Sequence, residues 1–115
     1  MTKIYHNPRC SKSRQTLALL EENGIEATIV DYLKQPPKPE ELKTILSQLG
    51  ITARTLLRKG EAVYKDLNLA DNSLSDDTLI KAMSDNQKLI ERPIVIHNKK
   101  AKIGRPPEAV LVLFE

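Results

Sequence analysis

Apolar residues along the chain come in short runs separated by breaks marked with Pro and Gly, and their spacing changes from strand-like to helix-like and back. Lys3–His6 (KIYH) reads as a first strand. After Cys10 the spacing turns helical, with Leu17, Leu20 and Ala18 on one face, and Asn23-Gly24 is a stop signal. Ala27–Tyr32, carrying Thr28, Ile29 and Val30, reads as a second strand that Gln35-Pro36-Pro37 ends. Pro39 suits the first position of a helix, with Glu40 and Glu41 well placed in its first turn. Leu42, Ile45, Leu46 and Leu49 give that helix its apolar face, and Gly50 closes it. Thr52 can cap a short helix through Leu57, residues 58–74 read as loop, and Ser75 caps another helix with Leu79, Ile80 and Met83 inward. Ile94–Ile96 then reads as a compact strand, His97–Lys100 as a turn and Ala101–Gly104 as a returning strand. Pro106-Pro107 opens a last helix with Val110, Leu111 and Phe114 on its buried side.

A strand–helix–strand unit of this length implies a parallel pair joined by a right-handed crossover. The full order is βαβ, a helical segment, then ββα. The expected class is therefore α/β: a small mixed four-stranded sheet in a single domain over 1–115, with a helical insertion at about 39–86. That is the element order of a thioredoxin-like fold.

Composition narrows the function. With 115 residues, one core is the expectation. Three Tyr, one Phe and no Trp make an aromatic platform for single-stranded nucleic acid a poor fit. A net charge of +3, from 18 basic and 15 acidic residues, does not argue for nucleic acid or membrane. Basic residues instead gather at 9–14 and 99–105, the pattern of a local anion site. No apolar run approaches the ~20 residues of a membrane span, and no signal peptide is evident. A single cysteine cannot form an internal disulfide, so a free thiol in a reducing cytoplasm is expected.

That cysteine, Cys10, lies in HNPRCSKSR at 6–14, between a strand end and a helix start. Unpaired N–H groups and the helix dipole favour a thiolate and an anion there, and Arg9, Lys12 and Arg14 add positive charge. Ionisation alone is a modest gain. Lowering a thiol pKa from ~8.5 to ~6.5 raises the thiolate at pH 7 from ~3% to ~75%, while intrinsic nucleophilicity falls roughly tenfold. Holding an anionic substrate against the sulfur is the natural second use of the charge. Most free cysteines are small buried hydrophobes, but the strand–loop–helix setting favours a reactive thiol here. Ser13 occupies the place of the second cysteine of a C-x-x-C pair, so an external thiol has to resolve any adduct. Thr16 stands where a C-x5-R phosphatase loop would carry arginine.

Further candidates come from elsewhere in the chain. In a thioredoxin topology, Arg92 at the start of the third strand and Arg105 after the fourth reach the end of the sheet where Cys10 lies, and Arg92-Pro93 is a plausible cis bond. Arg58 is a third candidate, and arginine forks match tetrahedral oxyanions. His6 can lower the thiol pKa or relay a proton, or it can be a strand-end histidine bonded to backbone. His97 has no assigned role, and two histidines with one cysteine form no metal pattern.

YHNPRCSKSRQTLALL at 5–20 resembles the signature of the glutaredoxin-coupled arsenate reductases, whose fold is thioredoxin-like. LLRKGE at 56–61, ERPIVI at 91–96 and GRPPE at 104–108 resemble its other blocks in the same order, so the resemblance spans essentially the whole chain. It implies that Cys10 attacks arsenate, that glutathione adds as co-substrate, and that glutaredoxin reduces the mixed species to release arsenite. It further implies that Arg58, Arg92 and Arg105 bind the oxyanion, that His6 is associated with a lowered thiol pKa, and that Ser13 belongs to the active loop. No tightly bound cofactor or metal is expected, nor a nucleic-acid or membrane partner, and a monomer is expected. Two other readings share the fold: a Spx-like, non-enzymatic regulator that binds RNA polymerase, and a general glutathione-dependent thiol oxidoreductase.

Overall fold

Thr2–His6 forms strand β1, buried at every position but Lys3, as an interior strand of the sheet is. The computed structural model describes all 115 residues, Met1–Glu115. Helix α1 (Ser11–Glu22) follows, then strand β2 (Thr28–Asp31). Near the other end come β3 (Ile94–His97), β4 (Lys100–Ile103) and a 3₁₀ helix over Pro107–Phe114. The sheet order is β2-β1-β3-β4, with β1 and β2 parallel and the other pairs antiparallel. This is the mixed four-stranded sheet of a thioredoxin-like fold, as the element order predicts.

The chain divides into two compact units, Met1–Gln35 with Arg92–Glu115, and Pro36–Glu91. In the first unit Ile4, Leu20, Val95 and Val110 form a fully buried cluster. Ile4 pairs with Val95 across β1 and β3, so both side chains leave the same face of the sheet, where α1 and the last helix pack. His6 lies two residues after Ile4 and shares that face, which is why its ring meets α1.

The hairpin between β3 and β4 turns on Asn98 (φ 50°) and Lys99 (φ 69°), the two left-handed residues of a type I′ turn. His97 beside it is structural. Its Nδ1 lies 2.8 Å from the Thr2 hydroxyl, and its ring centroid lies 4.5 Å from that of Phe114.

The last segment departs from the expected α-helix. As a 3₁₀ helix it repeats every three residues, which sets buried Pro107 and Val110 and half-buried Leu113 in one line against the core. Leu111 is only partly buried.

The second unit holds α2 (Pro39–Leu49), α3 (Ala53–Leu56), α4 (Ala62–Asp66), α5 (Asp76–Asp85) and a 3₁₀ turn at Gln87–Leu89. The caps follow the sequence. Thr52 and Ser75 hydroxyls accept from the Thr55 and Thr78 N–H groups, and Gly50 is left-handed at φ 70°. Leu42, Leu56, Leu79, Met83 and Leu89 are buried within it.

Helix α4 lies inside the stretch expected to be loop. It has five residues and no side-chain cap, too little for periodicity to register. Tertiary contacts hold it instead. Tyr64 and Leu69 are buried, and the Arg54 guanidinium donates to the Leu69 and Asp71 carbonyls at 2.9 Å each. No helix of the protein is long and apolar enough to cross a membrane.

Candidate active site

Asn7–Cys10 forms the tight turn between β1 and α1, closed by the Cys10 N–H donating to the Asn7 carbonyl at 3.0 Å. Cys10 is the N-cap of α1 in extended conformation, and its carbonyl accepts the Arg14 N–H at 3.0 Å. Helix propensity thus starts one residue after the thiol and places the sulfur over the first turn. The residue is buried, at 8% exposure.

The thiol is held below its ordinary pKa. Burial, the largest single influence, pushes it up. Against it act the Ser13 N–H, the Arg92 guanidinium, the Lys12 N–H and the Arg105 guanidinium, and together they prevail. Cys10 makes no cap hydrogen bond of ordinary geometry, so the two backbone N–H groups act on the sulfur as oriented dipoles.

Arg105 reaches the thiol directly. Its Nη2 lies 3.8 Å from the Cys10 sulfur, and its Nε donates to the Arg92 carbonyl at 2.9 Å. The second bond fixes the plane of the guanidinium, so the fork is oriented before any anion arrives. Arg92-Pro93 and Arg105-Pro106 are both cis; the second of these was not expected from the sequence.

His6 and Ser13 are both buried and lie in contact, with His6 Nδ1 2.6 Å from the Ser13 hydroxyl. The same oxygen accepts the Asn7 N–H at 3.0 Å. Burial lowers the His6 pKa, Asp31 opposes this and Arg14 adds to it, so the imidazole is neutral at pH 7. His6 reaches the Cys10 loop through Ser13. That pair fastens β1 to the first turn of α1.

Arg58 belongs to the second unit. An isolated bridge between Leu57 and Ile90 holds its backbone, with the Arg58 N–H on the Leu89 carbonyl at 2.8 Å. Its guanidinium faces two carboxylates, Glu61 at 3.0 Å and Glu91 at 3.7 Å. The first unit therefore brings together Cys10, His6, Ser13, Arg92 and Arg105, and Arg58 has its own ion-pair setting. No group of three or more His, Cys, Asp or Glu residues is placed to hold a metal.

Gly104 is a residue the sequence alone did not single out. A Cβ there would stand 2.8 Å from Pro93 Cγ and closer still to the Thr16 hydroxyl. Thr16 is fully buried and donates to the Lys12 carbonyl at 2.8 Å, and the Gly104 N–H donates to the Pro93 carbonyl at 2.9 Å. Gly104 thus lets the strand end before Arg105 lie directly on α1 at Thr16. Gly104→Ala is expected to cost roughly 1–3 kcal/mol, the usual overpacking range, seen as a lower urea midpoint with an unchanged m-value. The only sequence signal was a glycine beside Arg-Pro-Pro.

A protein-family model described as the ArsC family matches residues 5–113. The chain is 61% identical over 110 residues to the uncharacterized protein YfgD of Escherichia coli K12, covering 95% of this chain and 92% of that one. It is 54% identical over 112 residues to an arsenate reductase of Haemophilus influenzae, covering 96% and 97%. Among solved structures, the arsenate reductase of Vibrio cholerae superposes with a TM-score of 0.95 at 54% identity, covering 97% of this chain and 96% of that one.

Proposed function

The chain belongs to the ArsC family, and from that premise we propose that it reduces arsenate to arsenite, with Cys10 as nucleophile and glutathione and glutaredoxin as reductants. The observation that carries this reading is the approach of Arg105 Nη2 to the Cys10 sulfur at 3.8 Å: a guanidinium beside a thiol of lowered pKa supports an oxyanion substrate. In plain disulfide exchange such an arginine serves only to lower the thiol pKa, a gain of a few-fold, because no oxyanion forms there.

The chemistry balances as follows. The Cys10 thiolate forms a bond to arsenic(V), and one arsenate oxygen leaves as water after protonation. The glutathione thiol adds to the same arsenic and releases a second water. A glutaredoxin thiolate then attacks the glutathione sulfur. The glutathione–arsenic bond breaks, its electron pair stays on arsenic, and arsenic(V) becomes arsenic(III) as the glutathione–glutaredoxin disulfide forms. Water finally releases arsenite and returns the Cys10 thiol. Over one cycle, arsenate and two external thiols give arsenite, a disulfide and one water. Both electrons come from outside because Cys10 is the one cysteine in these 115 residues.

Arg92 and Arg105 are the anion ligands of this reading, and we assign Arg58 to the same role on sequence resemblance alone. Ser13 and the neutral His6 hold the loop, and the His6–Ser13 hydrogen bond is the natural route for a proton. The test is arsenate-dependent NADPH consumption with glutathione, glutaredoxin and glutathione reductase supplied. The expected result is a rate that saturates with arsenate and needs the protein, glutathione and glutaredoxin. A rate equal to the protein-free background at every arsenate concentration would sink the proposal.

A further inference from the structure

A pocket of about 320 Å³ opens between the β1–α1 turn and the segment after β2. Asn7, Pro8 and Arg9 form one wall, and Asp31, Leu33 and Lys34 the other. It lies beyond the C-terminal ends of β1 and β2, the only parallel pair of the sheet, where His6 stands opposite Asp31. Small ligands of α/β sheets favour that end of parallel strands, and the volume falls in the ordinary ligand range of roughly 300–1,000 Å³.

Both walls are preformed. The Arg9 N–H donates to Asn7 Oδ1 at 3.0 Å, and the Cys10 N–H closes the same turn. Across the pocket, the Leu33 N–H donates to Asp31 Oδ1 at 3.2 Å, and the Asp31 carbonyl accepts the Lys34 and Gln35 N–H groups. Arg9 and Lys34 are exposed, and the ion pairs of the molecule involve neither. The pocket thus presents two cations and one carboxylate around a partly apolar floor, and the mechanism above uses none of them.

We propose that this pocket binds the backbone of the reducing tripeptide, glutathione. The inference rests on the glutathione-dependent reading above and adds a location to it. Glutathione carries two carboxylates and one ammonium at pH 7, the charge complement of Arg9, Lys34 and Asp31. Reach is sufficient: an extended tripeptide spans at most ~10 Å, and Arg9 is the chain neighbour of Cys10. Anchored there, the cysteine of the tripeptide is delivered from the β2 side of the loop, while Arg92 and Arg105 hold the oxyanion from the β3–β4 side.

Two measurements test this. In the coupled assay with glutaredoxin in excess, Lys34→Glu is expected to raise the glutathione KM about three- to tenfold, as for reversal of one exposed charge, and to leave the arsenate KM unchanged. The difference should shrink in about 0.5 M salt, where screening acts within roughly 4 Å. Because only this chain is altered, the change reports its own step. Separately, S-methylglutathione, which cannot react, is titrated into the ¹⁵N-labelled protein. Amide shifts at Asn7, Arg9, Leu33 and Lys34 that weaken in Lys34→Glu support the site. No shift there up to about 20 mM, enough to saturate a millimolar site, overturns it. A wild-type rate with a glutathione KM that Lys34→Glu leaves unchanged also overturns the pocket, and the reductase reading stands. If the wild type shows no arsenate-dependent rate, that reading fails, and the titration alone decides the pocket.

Discussion

Cys10→Ser is expected to abolish arsenate-dependent turnover, by on the order of 10³-fold or more, while the folded protein becomes no less stable. The two effects separate because the side chain sits at an N-cap. Serine is among the best N-cap residues, and its oxygen can accept from the first-turn N–H groups that the sulfur leaves without a cap bond of ordinary geometry. A gain of about 0.5–1 kcal/mol is expected, or roughly 2–6 °C in Tm for a domain of this size. A stability gain together with lost turnover would show that the thiol serves the reaction and not the helix start. Thermal unfolding and the coupled assay on the same preparation check this. Loss of both activity and stability would mean that the sulfur packs as a hydrophobe and would remove the argument for a nucleophile.

Arg105→Ala should lower kcat/KM for arsenate by roughly 10²–10³-fold, the range for loss of one preorganised oxyanion donor. It should also raise the pH at which Cys10 ionises. Arg105 is one of the groups that hold the thiol pKa down, so removing its charge favours the protonated form. The rate of alkylation by iodoacetamide then rises at higher pH in the variant than in the wild type. At pH 7 the variant carries less thiolate and reacts more slowly. Arg105→Lys should restore part of the alkylation rate, because a charge remains. It should restore little of the arsenate rate, because the fork and its Nε bond to the Arg92 carbonyl are gone. An alkylation profile identical to the wild type would show that Arg105 does not act on the sulfur.

The elements with strong local signals were legible in the sequence. Strand β1, helix α1 with its Asn23-Gly24 stop, the Pro39 start and Gly50 end of α2, the caps at Thr52 and Ser75, and the β3–β4 hairpin all follow from backbone chemistry within a few residues. Helix α4 and the 3₁₀ form of the last helix were not legible. Each is chosen by which side chains find burial, Tyr64 and Leu69 in the first case and the Pro107–Val110–Leu113 line in the second. Those choices depend on partners far along the chain.

The site divides in the same way. A lone cysteine at a strand–helix junction with basic neighbours marks a thiolate and an anion from sequence alone, because dipole and charge act over one helical turn. Without the fold, Arg92 and Arg105 are merely two arginines before prolines. Antiparallel pairing of β3 with β1 and β4 carries both to the end of the sheet where Cys10 lies, 82 and 95 residues along the chain. Gly104 became visible only there, through the Cβ it lacks. The sequence by itself determined that the one cysteine lies at a strand–helix junction among basic residues, and that it has no second cysteine with which to pair. The tertiary structure alone decided which guanidinium groups stand beside the sulfur, because their approach is set by strand register and by the packing of Gly104 on Thr16.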